Sequence, residues 1–238
     1  MTNRKAPNIP SHTLVHGGWL LPLLMLCTVG CANRGIGPQG GPIDSLPPVI
    51  TKSNPVPNQL NYQGKKVDLF FNEYIQLVNP SENVLISPPQ QHAPEINAIG
   101  KRITVTFQEE MQPNTTYTID FGNAIVDNNE KNPLQNYAMS FSTGSQIDSL
   151  RIYGTLLNAE DLNPISGVVI GLQPVDSSMD AIKRTPFTRI GRTNAEGEFS
   201  IKNIRQGTYR LYALQDNSLD YLYQIGEGIA VYDEPVTP

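Results

Sequence analysis

Two tandem antiparallel β-sandwiches are the fold this sequence predicts, and three observations carry that prediction. Apolar and polar residues alternate with period two in short runs from residue 66 to residue 232, which is strand spacing. Twenty prolines and 19 glycines in 238 residues punctuate those runs. No stretch of ten residues carries a capped, amphipathic helical pattern. With 39% apolar and 16% charged residues the chain is too apolar to be disordered, and it is long enough for two small domains.

Residues 1–30 read as a signal peptide. Arg4 and Lys5 stand in a stretch without acids, Trp19–Leu26 is apolar apart from Pro22, and Thr28-Val29-Gly30 is small to medium. That is a basic n-region, a short h-region and a small residue before a cut. The run Leu20–Cys31, LLPLLMLCTVGC, is shorter than the roughly 20 apolar residues that a membrane span needs. Its ending, Thr28-Val29-Gly30-Cys31, resembles a bacterial lipobox, with Thr28 where Leu is usual. The resemblance implies that Cys31 is lipidated and becomes the mature N-terminus, with the membrane as its first partner. Two or more acyl chains make a stable anchor, whereas one is marginal. The alternative is a conventionally cleaved signal in which Cys31 is incidental.

Residues 31–46 read as a flexible tether, rich in Gly and Pro and without hydrophobic periodicity. The tether contains Gly35-x-Gly37-x-x-Gly40, formally a dinucleotide fingerprint. No strand pattern precedes it, no helix pattern follows it, and Pro38 interrupts it, so it is read as accidental.

The first domain spans 47–144. Val67, Leu69 and Phe71 share one face. Ile103, Val105 and Phe107 alternate, as do Tyr117, Ile119 and Phe121, and then Tyr137, Met139 and Phe141. Breakers fall at Asn54-Pro55, Asn79-Pro80, Pro88-Pro89, Ala98–Lys101, Gln112–Asn114 and Asp127–Pro133. The polar stretch Ser142–Asp148 separates this series from a second one in residues 149–238. There Leu150, Ile152, Gly154 and Leu156 alternate, as do Val168, Ile170 and Leu172, then Phe199 and Ile201. Tyr209, Leu211 and Ala213 face opposite to Arg210, Tyr212 and Leu214, and Gly228–Tyr232 reads as a last strand. Asn194-Ala195-Glu196-Gly197 reads as a hairpin turn with Gly197 at positive φ.

Several motifs then fall in a familiar order. Pro47-Pro48-Val49-Ile50 opens the first domain, Phe70-Phe71-Asn72-Glu73 follows, Pro113–Ile119 sits mid-domain, Ile125-Val126-Asp127 comes next and Phe141-Ser142-Thr143-Gly144 closes it. Together these resemble the bacterial Ig-like domain of the SbsA type, over residues 47–144. That implies a sandwich used as a spacer or binding module, with no catalytic residues. Gly154, Ile165–Val168, Thr193–Phe199 and Gly207–Leu211 resemble a prealbumin-like sandwich of the carboxypeptidase regulatory-like and Cna B-type kind. Some Cna B-type modules form a Lys–Asn isopeptide crosslink, but no such trio is assigned here. The whole architecture resembles lipoproteins of Bacteroidetes-type bacteria. The Pro-rich ending Glu234–Pro238 reads as a linker, as in a piece of a longer protein.

Candidate chemistry is sparse. Cys27 and Cys31, the only cysteines, both lie in the first 31 residues, so no disulfide framework is expected beyond them. His92 is the only histidine after Cys31, which argues against zinc and against a Ser–His–Asp triad. Glu109 and Glu110 are adjacent and read as a solvated turn. Asp127–Asn132 begins like a calcium loop but places Lys131 at a ligand position, and Asp216–Asp220 is a second oxygen-rich loop. Both read as turns. Tyr212, Tyr221, Tyr223 and Tyr232 form a late cluster that would suit a binding face if exposed. No cofactor and no metal are expected.

Net charge is −5, and removal of residues 1–30 takes Arg4 and Lys5 but no acid, leaving 15 basic against 22 acidic residues. An acidic balance argues against nucleic acid as a partner. The expected function is therefore a non-enzymatic, lipid-anchored cell-envelope protein, a stalk or interaction module with an envelope protein or polysaccharide as partner. The alternatives are a surface-exposed glycan- or protein-binding adhesin, and an accessory part of a larger enzyme or envelope complex. Ala32, rather than Asp, follows Cys31, which points to the outer membrane. The lack of an acidic cluster after Cys31 leans toward its periplasmic face.

Overall fold

A computed structural model describes residues 41 and 43–238. The leader, Cys31 and most of the tether lie outside the described residues. Residues 44–238 form nearly all-β structure, in which every strand pair is antiparallel.

The first half builds nine strands: β1 (Ile50–Asn54), β2 (Lys66–Phe71), β3 (Ile75–Leu77), β4 (Leu85–Ser87), β5 (Glu95–Ile99), β6 (Arg102–Thr106), β7 (Thr116–Gly122), β8 (Ile125–Asp127) and β9 (Tyr137–Ser142). One sheet has the order β1-β2-β6-β5 and another β4-β7-β9, with β3 and β8 paired as a short ribbon. The period-two pattern explains the layering. Val67 and Leu69 of β2, Ile103 and Val105 of β6, Ile119 and Phe121 of β7 and Phe141 of β9 all turn inward and are fully buried. Tyr117 stacks on Phe141 with ring centroids 5.7 Å apart, and Phe107 meets Tyr117 edge-on at 5.6 Å. Burial of each such side chain contributes about 1.5–3 kcal/mol relative to exposure.

β5 runs through Ala98 to Ile99, where the sequence suggested a breaker. Only Gly100 and Lys101 form the turn, because Ile99 pairs directly with Arg102.

The second half builds β10 (Leu150–Thr155), β11 (Val169–Pro174), β12 (Arg189–Arg192), β13 (Glu198–Ile204), β14 (Tyr209–Leu214) and β15 (Ile229–Val231). β10 pairs with β13, and a four-stranded sheet of order β12-β11-β14-β15 packs against that pair. Gly197 takes φ 72°, as the turn requires, and the Asn194 side-chain oxygen accepts the N–H groups of Glu196 and Glu198.

β14 departs from a half-buried strand. Tyr209, Leu211 and Ala213 face the sandwich interior, while Tyr212 and Leu214 on the opposite face are buried in a second cluster with Phe187, Ile182 and Ile190. Tyr221 and Tyr223, from the loop after β14, pack onto that cluster, so this sheet is covered on both sides.

Candidate functional site at the junction of the sandwiches

Each sandwich carries a tyrosine that ties its own corner. Tyr117, at the start of β7, accepts the Gln112 N–H on its hydroxyl at 2.8 Å, and Tyr209, at the start of β14, donates to the Arg205 carbonyl at 2.8 Å. Both bonds reach back four or five residues and fix the turn that feeds the strand, as tyrosine corners do in Ig-type sandwiches. Burial pushes both phenols above their ordinary value.

Between these corners lies a polar knot centred on Asn203. The β10–β13 pairing shifts register between Leu150 and Ile152, and Asn203 takes φ 56° there. Asn tolerates that left-handed conformation better than most residues, and the bulge re-aims its side chain. Its Oδ1 accepts the hydroxyls of Thr118 at 2.9 Å and Ser140 at 3.1 Å, from β7 and β9 of the first sandwich. Its Nδ2 donates to the Asp148 carbonyl at 2.7 Å, and its own carbonyl accepts Arg189 Nε at 2.8 Å. One residue, through its side chain and its carbonyl, thereby joins three sheets and the connecting segment.

Asp148, the last residue of the polar stretch 142–148, is pinned from three sides. Its N–H donates to Thr116 Oγ1 at 2.9 Å. Its carboxylate faces Arg189 Nη2 at 3.5 Å and Arg205 Nε at 3.4 Å. The Asp148 and Arg189 side chains are only 14% and 8% exposed, so this ion pair is held out of bulk water. Burial pushes the Arg189 guanidinium below its ordinary value, and the facing Asp148 carboxylate opposes that shift. Arg205 also donates to the Asn114 carbonyl. On the other side of the knot, Ser87 Oγ of β4 accepts the Ile190 N–H of β12 at 3.1 Å, and Leu85 packs onto the Tyr212 cluster.

The geometry supplies positioning rather than reaction chemistry. Donors and acceptors in the knot are mutually satisfied, and no side chain in it is left as a free nucleophile or base. The other candidates are scattered. His92 bonds Glu109 at 2.8 Å on the surface, while Glu110 faces Lys65 at 3.7 Å, so the two glutamates serve separate contacts in a loop. Asp127 turns its carboxylate into its own loop and accepts the N–H groups of Asn129, Glu130, Lys131 and Asn132 at 2.7–3.1 Å. Burial pushes that carboxyl up, but the four N–H groups together hold it below the usual carboxylate range. The ring of N–H donors occupies the oxygens that a calcium ion would need.

Asp216 likewise accepts the N–H groups of Asp220 and Tyr221. Among the described residues no group of three or more His, Cys, Asp or Glu is placed to hold a metal. Tyr212, Tyr221 and Tyr223 are spent on packing, and only Tyr232 of the four tyrosines is exposed. Cys31 lies outside the described residues. The sequence alone assigns no role to Asn203 or Arg189, and it shows Thr118 only as part of the Pro113–Ile119 motif.

Residues 44–143 match the bacterial Ig-like domain family. The match spans β1 to β9 and ends five residues before Asp148, so the Ig-like domain supplies Thr118 and Ser140 to the knot and the second sandwich supplies Arg189 and Asn203. Among solved structures, the chain is similar to the T6 backbone pilin of serotype M6 Streptococcus pyogenes at 9% identity, covering 80% of this chain and 52% of that one with a TM-score of 0.26. It is similar to BcpA, the major pilin subunit of Bacillus cereus, at 11% identity, covering 79% and 65% with a TM-score of 0.23. It is also similar to the N-terminal part of the bacterial S-layer protein SbsC at 12% identity, covering 79% and 45% with a TM-score of 0.27. The chain thus spans 45–65% of the length of these structures. No curated protein matches it.

Proposed function

We propose that this protein is a non-enzymatic, lipid-anchored envelope component. In it, an Ig-like domain and a prealbumin-like sandwich act as one stiff spacer and interaction module. The observation that carries this reading is the Asn203 knot. A linker between independent domains would be solvated and poor in contacts. Here the connecting residue Asp148 is instead bonded to Arg189, Asn203 and Thr116. Such a joint suits transmission of position along a rod.

The anchor rests on the lipobox resemblance at Cys31, and the outer membrane, on its periplasmic face, is the location we infer from Ala32 and the residues after it. The packing of Tyr212, Tyr221 and Tyr223 against the β14 sheet, which spends three of the four late tyrosines, supports spacer over glycan-binding adhesin. Replacement of Cys31 by Ala tests the anchor. The variant should remain unprocessed or become soluble, and wild-type protein should yield an N-terminal peptide carrying acyl chains on Cys31 by mass spectrometry. A Cys31→Ala protein that still fractionates with membranes as a mature form contradicts the reading.

A further inference from the structure

The second sandwich is closed on one flank and open on the other. On the closed flank β12 lies so near β13 that a Cβ added to Gly191 would sit 2.9 Å from the Ser200 carbonyl oxygen. On the open flank, among the described residues, β10 pairs only with β13 and β15 only with β14. Leu156 donates its N–H to the Gly197 carbonyl at 2.8 Å. Backbone direction alternates along a strand, so Gly154 and Ile152 also turn toward β13, whereas Tyr153 and Thr155 turn their N–H and C=O groups outward. Among the described residues these outward groups have no backbone partner. Past Thr155 the edge is taken up by the Leu157–Pro164 bridge.

Behind this edge is a cleft of about 430 Å³ lined by Ile152, Leu156, Phe199, Leu211, Ala213 and Val231. The surrounding core is under-covered. Five of its apolar residues are buried, and nine more, including Leu150, Ile152, Phe199 and Leu211, are only partly so. The Ig-like domain shows the opposite balance, with 17 buried and seven partly buried. The Phe199 ring lies over Gly154, where an added Cβ would meet it at 2.9 Å, so the wall of the cleft is flat at the middle of β10.

We propose that this cleft receives one extended strand from another polypeptide. The strand pairs antiparallel or parallel with the outward groups of Tyr153 and Thr155 and lays alternate apolar side chains between the two sheets. Both halves of the feature are needed for that occupant. The row of unpaired backbone groups selects a polypeptide, because an acyl chain covering them would leave each desolvated and unbonded. The cleft selects alternation, because only every second side chain of a strand points inward. The free edge is Arg151–Thr155, so the donated segment is about five residues, or roughly 17 Å, with three inward positions. The middle position lies beside Gly154, whose side-chain space the Phe199 ring already fills, so an inward residue there packs on the edge of that ring. Edge-to-edge pairing of two copies would satisfy the backbone groups but leave the cleft unfilled, since each edge strand already has its own sandwich behind it.

The test uses the full chain carrying Cys31→Ala and an array of synthetic heptapeptides. These carry Val, Ile, Leu or Phe at alternate positions, with Thr or Lys between. Amide hydrogen exchange is the readout. Alternating peptides should slow exchange at Tyr153 and Thr155 at least about ten-fold and leave Ile170 and Leu172 unchanged. The same residues in block order should have no effect.

Tyr153→Pro removes an outward N–H without touching a β10–β13 bond, and should fold yet lose the protection that is then read at Thr155. Ala213→Trp fills the cleft while leaving the backbone edge intact, and should weaken binding at least about ten-fold. The proposal is overturned if no alternating peptide protects these amides at about 1 mM, the weak limit of a specific contact. Protection that grows with protein concentration alone, which would name a second copy, overturns it as well, and so does protection unchanged in both variants.

Discussion

Asn203 accepts the Thr118 hydroxyl at 2.9 Å across 85 residues of sequence, and this bond ties the second sandwich to the Ig-like domain. The same amide serves Ser140 and the Asp148 carbonyl, so its removal takes a partner from three polar groups at once, although the Thr118 and Ser140 hydroxyls still face each other at 3.1 Å.

Asn203→Ala is therefore expected to cost about 2–4 kcal/mol, since each buried group left unsatisfied costs about 1–3 kcal/mol and solvent reaches part of the site. Asn203→Gly separates backbone from side chain. It relieves the left-handed φ but loses the same bonds, and should fall near the Ala variant. Urea denaturation of all three proteins measures this. A Gly variant as stable as wild type would assign the role of Asn203 to its backbone conformation alone.

The Asp148–Arg189 pair should behave asymmetrically. Asp148→Asn leaves a guanidinium that is 8% exposed without its counter-charge, and a loss of about 3 kcal/mol is expected. Adding Arg189→Met removes the stranded charge and should recover most of that loss. A double-mutant cycle by chemical denaturation gives the coupling, which should be well above the 0–1 kcal/mol of an exposed pair.

In the Ig-like core, Phe141→Ala should cost about 3–5 kcal/mol, because Tyr117, Phe107 and Tyr62 all pack on that ring. Tyr117→Phe keeps the packing and removes only the bond from Gln112, so about 1 kcal/mol is expected. Calorimetric melting should rank the two variants in that order.

Asp127 gives a pH signature. Its folded carboxyl lies below the ordinary value, so the folded state favours its ionised form. That stabilisation is fully present above the unfolded pKa of about 3.9 and is lost as pH falls through the folded value. Asp127→Asn should melt lower than wild type at about pH 7 and show a shallower further loss in acid. Parallel melting curves for the two proteins across the acid range would contradict the assignment.

The sandwiches were legible in sequence where strands were long. β2, β6, β7 and β9 each run five to seven residues, enough for period two to show in Val67-Leu69-Phe71 or Tyr117-Ile119-Phe121. β3, β4 and β8 have three residues each, too few to display a period, and β4 sits between breakers. Buried faces on both sides of β14 were hidden because Tyr212 and Leu214 are covered by Ile182, Phe187 and Ile190 from upstream and Tyr221 and Tyr223 from downstream, which strand periodicity does not report.

The knot was illegible for a different reason. Asn203 stands in Ile201-Lys202-Asn203-Ile204, where it reads as an ordinary outward polar residue, and its role comes from a bulge and from partners 55 to 85 residues away. Asp148 stands in the polar stretch 142–148, but its pairing with Arg189 spans 41 residues. Gly197 shows the contrary case, since its turn is encoded by four adjacent residues and was legible from them.

Stiffness across the junction is the central claim, and a distance distribution between the two sandwiches tests it most directly. Spin labels at Ile99→Cys and Glu198→Cys, in a Cys27→Ala/Cys31→Ala background, place one label on an exposed position of each sandwich. Double electron–electron resonance should give a single narrow distance, which broadens when Asn203→Ala and Asp148→Asn are added together. A broad distribution in the otherwise unaltered protein, unchanged by those substitutions, would show that the sandwiches move independently and would contradict the account.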